Sequence, residues 1–195
     1  MKTIGLTGSI GMGKSTTAAM FREAGIPVYD ADAAVHDLYD EGGAAVGPVG
    51  EAFPGVVRDG RVDREELRKR VLGQPEELKR LNAIVHPPVR ATIAERVAGL
   101  VGTDAVVVLE IPLLVESGRS YGASQVIVVD CPEEVAVRRL VEGRGMEEAD
   151  ARRRIAAQVS RSDRLAAADV VIDNAGSVAD LRRQVDAAWD DLARE

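Results

Sequence analysis

The sequence predicts an α/β protein: a five-stranded parallel sheet with helices on both faces. One observation is a set of Val- and Ile-rich apolar runs at Ile26 to Tyr29, Ala105 to Leu109, Gln125 to Val129 and Val170 to Ile172, in addition to a short first strand at Lys2 to Thr7. Their hydrophobicity is continuous rather than alternating, as in strands buried on both faces. Helical patterns fill the intervals, and a helix is the usual crossover between parallel strands. The third observation is at the end of the first strand. There Gly8-Ser9-Ile10-Gly11-Met12-Gly13-Lys14-Ser15 forms a complete G-x-x-x-x-G-K-[ST] phosphate-binding loop.

Along the chain, each element has a local cause. Behind the loop, Ser15 to Ala24 is free of Gly and Pro and reads as a helix closed by Gly25. Between the second and third strands lies a long excursion with a helix starting near Asp32, a Gly/Pro-rich stretch from Gly42 to Gly60, and helices near Asp63 to Leu72, Pro75 to Val85 and Pro88 to Val101. Pro75 and Pro88 suit first-turn positions. A second excursion, Pro132 to about Ala168, carries Arg138, Arg139, Arg144, Arg152, Arg153, Arg154, Arg161 and Arg164. Most of such a run is a solvated face, but one or two arginines can point inward as part of a lid. The last helix, Ser177 to Arg194, sets Val178, Leu181, Val185, Trp189 and Leu192 at helical spacing and should pack on the core.

A chain of 195 residues, 46% apolar, suits one domain over 1–195. Its expected parts are a core (about 1–31, 102–131 and 169–195), a helical insertion (about 32–101) and a lid (about 132–168). With 25 basic against 32 acidic residues the net charge is -7, which argues against nucleic acid or a membrane surface as partner. An anionic ligand must therefore meet locally placed cations. Cys131 is the only cysteine, so there is no disulfide framework, and it reads as a small packed side chain at a strand end. The N-terminus runs straight into a strand without a signal-like apolar segment, and a cytoplasmic location is expected.

The loop residues have separate tasks. Gly8, Gly11 and Gly13 let the backbone curl so that successive N–H groups, including those of Ser9, Met12 and Thr16, face phosphate oxygens at a helix N-terminus. Lys14 can then bridge the β- and γ-phosphates, and the Ser15 hydroxyl can ligate Mg²⁺. ATP and Mg²⁺ are the expected cofactors. The second strand leads into Asp30-Ala31-Asp32, where a carboxylate can take the proton of an attacking hydroxyl or help hold Mg²⁺; capping of the following helix by Asp32 is the lesser reading and is compatible with that role. The third strand ends in Glu110, where a metal-holding carboxylate is expected.

Several segments together resemble the dephospho-coenzyme A kinases: the loop from Gly5 to Ser15, Asp-Ala-Asp at Asp30, Leu-Asn-Ala-Ile-Val-His-Pro from Leu81, Ile-Pro-Leu-Leu-Val-Glu-Ser-Gly from Ile111, Arg-Ile-Ala-Ala-Gln from Arg154 and Ala-Asp-Val-Val-Ile-Asp-Asn from Ala168. They occur in family order across nearly the whole chain. The resemblance implies a P-loop kinase fold and transfer of the ATP γ-phosphoryl group to the ribose 3′-hydroxyl of dephospho-coenzyme A. It also implies Asp32 as the base, Lys14 as the phosphate clamp and Arg139 as the lid cation, with Arg144 as the alternative choice toward the nucleotide. His86, Leu113, Leu114 and Glu116 would lie on the acceptor side. Three features depart from the family pattern: His36 where an Arg is common, Glu110 where Asp is common, and the spacing between Arg139 and Arg144, which leaves the choice of lid arginine open.

Other readings are a P-loop kinase for a different small hydroxyl acceptor, or a nucleotide-dependent switch or assembly ATPase. A guanine-reading switch carries a motif such as Asn-Lys-x-Asp, which this sequence lacks.

Overall fold

The computed structural model describes residues 1–100, 102–112, 114–117 and 122–194, without the side chains of Asp32, Glu116, Ser117, Ala193 and Arg194. The chain begins with β1 (Lys2–Thr7), α1 (Lys14–Glu23) and β2 (Val28–Asp30). It continues through α2 (Ala31–Tyr39), α3 (Val46–Ala52), the short strands β3 (Val57–Arg58) and β4 (Arg61–Val62), α4 (Arg64–Val71) and α5 (Pro75–Val97). It returns as β5 (Val106–Glu110), α6 (Leu114–Ser117), β6 (Gln125–Asp130), α7 (Glu133–Arg144), α8 (Glu148–Ala156), α9 (Arg161–Ala166), β7 (Val170–Asp173) and α10 (Val178–Arg194). Two compact units result: Met1–Asp30 with Gly102–Glu195, and Ala31–Val101.

In the first unit the sheet is five-stranded, ordered β2-β5-β1-β6-β7, and every pairing in it is parallel. This is the predicted α/β architecture. Leu6 and Asp30 are both register partners of Glu110, and Asp130 is the partner of Asp173. The sheet therefore brings the ends of its strands level at one edge, the edge that bears the phosphate loop.

Alternation along β1 assigns the two faces. Ile4 and Leu6, both 0% exposed, join Phe21 of α1 and Leu181 and Val185 of α10 in one core cluster. Burying each such side chain contributes about 1.5–3 kcal/mol. Gly5 points the other way, under Leu114 of α6, so helices cover both faces. Trp189 packs against the core as predicted, whereas Val178 is exposed because the buried stripe begins one turn into α10.

The second unit departs from the sequence expectation at its prolines. Pro87 and Pro88 lie inside the single helix α5 instead of starting a new one. An internal Pro costs about 3 kcal/mol. Opposing that cost, Leu81, Val85, Val89, Ile93 and Val97 are buried at i, i+4 spacing on both sides of the prolines. At about 1.5–3 kcal/mol each, continuing the buried face outweighs breaking it. α2 packs on α5, with Asp37 accepting from Arg96 at 2.8 Å. Within the Gly/Pro-rich stretch, β3 and β4 pair antiparallel around Asp59-Gly60, whose φ values of 49° and 74° are those of a tight hairpin turn. Asp63 then caps α4 by accepting from the Glu65 and Glu66 amides, and the Glu66 amide is the main cause that lowers its pKa.

Candidate active site

The phosphate loop connects β1 to α1, which starts at Lys14 with Gly13 as its cap residue at φ 96°. No side chain caps this helix among the described residues, so its first-turn N–H groups are available to an anion. Met12 N–H donates to the Ser9 carbonyl at 3.1 Å and closes the turn inside the loop. Only glycine fits at position 13: the backbone is left-handed, and a Cβ would land on the Asn174 side-chain nitrogen.

Glu110 ends β5 almost wholly buried, 4% exposed. Its Oε1 accepts from Lys14 Nζ at 2.7 Å and from Ser15 Oγ at 3.2 Å, and its Oε2 faces Arg22 Nη2 at 3.4 Å. A carboxylate out of water needs such donors, and here they include the two residues that the motif assigns to phosphate and metal. Ser15 Oγ and Glu110 Oε1 are hard oxygen donors side by side, a set that fits Mg²⁺ when phosphate and water complete its shell.

On the other side of the loop is Arg139, on α7. Its Nη2 donates to the Asn174 carbonyl at 2.8 Å and its Nη1 lies 3.8 Å from Cys131 Sγ. The same Nη1 would be 3.9 Å from a Cβ at Gly13, which puts this guanidinium against the loop. Arg144 is exposed at the end of α7. Arg152 and Arg153 are engaged by carboxylates of α7 and α8, Arg152 by Glu134 and Glu148, Arg153 by Asp150. Arg161 holds Asp130, the last residue of β6, at 2.8 Å. Arg138, Arg144, Arg153, Arg154 and Arg161 are exposed, whereas Arg164 is buried, 3% exposed.

Three residues without an assigned role in the sequence reading also bear on the loop. The Gln158 side-chain oxygen accepts from Ser9 Oγ and, at 3.1 Å, from Ile10 N–H. Asn174 donates from Nδ2 to the Met12 carbonyl at 2.8 Å. Arg22 faces Glu110 as above. Gln158 and Asn174 each close a segment that carries the family resemblance, which was the available signal. Cys131 is buried under Met12, its Sγ 3.3 Å from the Met12 sulfur, and burial pushes its thiol pKa up. A cavity of about 240 Å³ lies beside Met12, lined also by Gln158, Ser160, Arg161 and Arg164.

The residues expected on the acceptor side are only partly among the described residues. Leu114 is buried on Gly5, Leu113 lies outside the described residues, and so does the side chain of Glu116. In the second unit His86 is half-buried on α5. Asp32 is the second residue of α2, inside the first turn rather than at the cap position, and its side chain is outside the description.

The sequence profile of dephospho-CoA kinases matches residues 2–180. The chain belongs to the dephospho-CoA kinase family. A dephospho-CoA kinase of Corynebacterium jeikeium is 44% identical over 194 residues, which cover 98% of this chain and 100% of the relative. Among solved structures, TT1252 from Thermus thermophilus superimposes with a TM-score of 0.85 at 37% identity, covering 98% of this chain and 97% of that one. Dephospho-CoA kinase from Campylobacter jejuni does so at 0.64 and 25%, covering 100% and 98%. Within this chain Glu110, one methylene longer than an aspartate, reaches both Lys14 and Ser15. His36, a second departure, is exposed on α2 with its Nδ1 3.2 Å from Arg64. Among the described residues no helix is long and apolar enough to cross a membrane.

Proposed function

We propose that the protein transfers the γ-phosphoryl group of ATP to the ribose 3′-hydroxyl of dephospho-coenzyme A, giving coenzyme A and ADP, the last step of coenzyme A synthesis, in the cytoplasm. The observation that carries this reading is the family match over residues 2–180, which includes an intact phosphate loop.

In this reading the backbone from Gly8 to Thr16 cradles the nucleotide phosphates, and Lys14 exchanges its contact with Glu110 for phosphate oxygens. Ser15 and Glu110 would hold Mg²⁺, which when bound supplies charge neutralisation at the β- and γ-phosphates. The ribose 3′-oxygen forms its bond to the γ-phosphorus as the bond to the β–γ bridging oxygen breaks, and ADP departs with that electron pair. The hydroxyl proton passes to the Asp32 carboxylate. Arg139 meets charge on the transferring group, with Arg144 as a further nucleotide-facing cation once the lid, residues 132–168, closes. Residues 32–101, with His86, form the acceptor-binding insertion, and Leu113, Leu114 and Glu116 face the acceptor. Because this transition state is loose, positioning and electrostatics carry the rate more than covalent chemistry does.

The test is a mass-spectrometric acceptor panel with ATP and Mg²⁺. Dephospho-coenzyme A should gain one phosphate, while shikimate, gluconate and adenosine stay unmodified. A panel in which another acceptor is phosphorylated and dephospho-coenzyme A is not would overturn the substrate assignment. ATP hydrolysis indifferent to every acceptor would overturn the kinase reading itself.

A further inference from the structure

Asn174 follows the last residue of β7 and is 6% exposed. Three hydrogen bonds anchor it, each to a different part of the site. Its backbone N–H donates to the Asp130 carbonyl at 2.7 Å, tying it to the end of β6. Its own carbonyl accepts from Arg139 Nη2 at 2.8 Å. Its Nδ2 donates to the Met12 carbonyl inside the phosphate loop, also at 2.8 Å, in a buried bond. A carbonyl only accepts, so the amide nitrogen and not the amide oxygen must face Met12.

The bond to Met12 has a directional consequence. In a trans peptide the C=O of one residue and the N–H of the next point in opposite directions. Fixing the Met12 carbonyl on Asn174 therefore turns the Gly13 N–H away from Asn174, toward the hollow in which loop N–H groups cradle phosphate. Gly13 accepts this neighbour only because it has no Cβ. On its other side Asn174 holds Arg139 by a main-chain carbonyl, a contact that survives a change of side chain at 174.

We infer that Asn174 is a positioning residue for phosphoryl transfer: through the Met12 carbonyl it aims the Gly13 N–H at the nucleotide phosphate, and through its own carbonyl it holds Arg139 beside the same phosphates. The inference rests on the reading that the loop is the nucleotide-phosphate site.

The experiment is ADP binding by titration calorimetry and steady-state kinetics on full-length Asn174→Ala and Asn174→Asp, with Lys14→Ala measured alongside. For Asn174→Ala, ADP affinity should fall roughly tenfold, the loss expected when one charge-assisted hydrogen bond is misaligned. The KM for dephospho-coenzyme A should stay within about twofold, since the change is confined to the phosphate side. Asn174→Asp keeps the shape but sets a carboxylate against the Met12 carbonyl, so its ADP affinity should fall at least as far. It also carries the test if the alanine variant does not fold. Native ADP affinity in either folded variant would overturn the inference whatever happens to its melting temperature, because a purely structural role moves stability and not affinity. An equal loss of affinity for ADP and for dephospho-coenzyme A would overturn it as well. Lys14→Ala separates the two levels: if it too binds ADP normally, the loop reading fails, and if it binds weakly while the Asn174 variants bind normally, only the role of Asn174 fails.

Discussion

Replacing Gly13 by alanine should destabilise the protein by more than its backbone conformation alone would require. Gly13 sits at φ 96°, where a side chain adds about 1–2 kcal/mol of strain. Its Cβ would also displace the Asn174 amide, breaking the buried bond to Met12 and leaving a polar group unpaired, at about 1–3 kcal/mol. The sum is about 2–5 kcal/mol. For a 195-residue chain each kcal/mol lowers Tm by about 2–4 °C, giving a fall of roughly 4–20 °C. Gly25→Ala is the matched control: φ is 81° there, but nothing lies within 4 Å of the added Cβ. Strain alone predicts a fall of roughly 2–8 °C. Thermal unfolding followed by circular dichroism compares the two variants directly. Equal melting temperatures would refute the reasoning, since they would mean that Asn174 yields without cost.

Asp32→Asn removes a carboxylate from the first turn of α2, where helix-dipole loss is worth only about 0.3–1 kcal/mol. Turnover should nevertheless fall by roughly two orders of magnitude or more, as for a missing general base, and an Asn variant with most of its kcat would remove Asp32 from catalysis. Arg139→Ala should lower kcat far more than Arg153→Ala, because Arg139 lies against the loop while Arg153 is spent on Asp150 at the surface; equal small losses would make Arg139 structural. Burial raises the Cys131 thiol pKa, so the folded protein keeps it protonated where the unfolded chain, near 8.5, begins to ionise. Stability linked to this thiol is present below that pH and declines as pH rises toward the folded value. Alkylation at pH 8.5 should therefore require denaturant, and rapid labelling of the native protein would contradict the buried placement.

Local pattern and tertiary context divide what the sequence revealed. The strands, the phosphate loop and Glu110 are legible because continuous apolar runs and a spaced motif are local signals, and the parallel sheet follows from them. Pro87-Pro88 misled as a helix boundary, since the buried face that overrides it becomes visible only once α5 packs. The β3–β4 hairpin has a local signal in Val57-Arg58-Asp59-Gly60-Arg61-Val62, a two-residue Asp-Gly turn between flanking valines, which composition alone, a Gly/Pro-rich stretch from Gly42 to Gly60, does not express. Arg139 and Arg144 look alike in sequence, yet five residues along a helix turn a side chain by about 140°, so one meets the loop and the other solvent. For Asn174 the resembling segment that it closes marks the position but not the role, because its contact with Met12 spans 162 positions.

The most direct test of the proposed activity follows ATP and dephospho-coenzyme A by phosphorus NMR in one reaction with Mg²⁺. The expected spectrum shows a new phosphomonoester on the ribose 3′-oxygen appearing in step with ADP, and almost no ATP loss when the acceptor is left out. Inorganic phosphate released at the same rate with or without dephospho-coenzyme A, and no new ester, would contradict it.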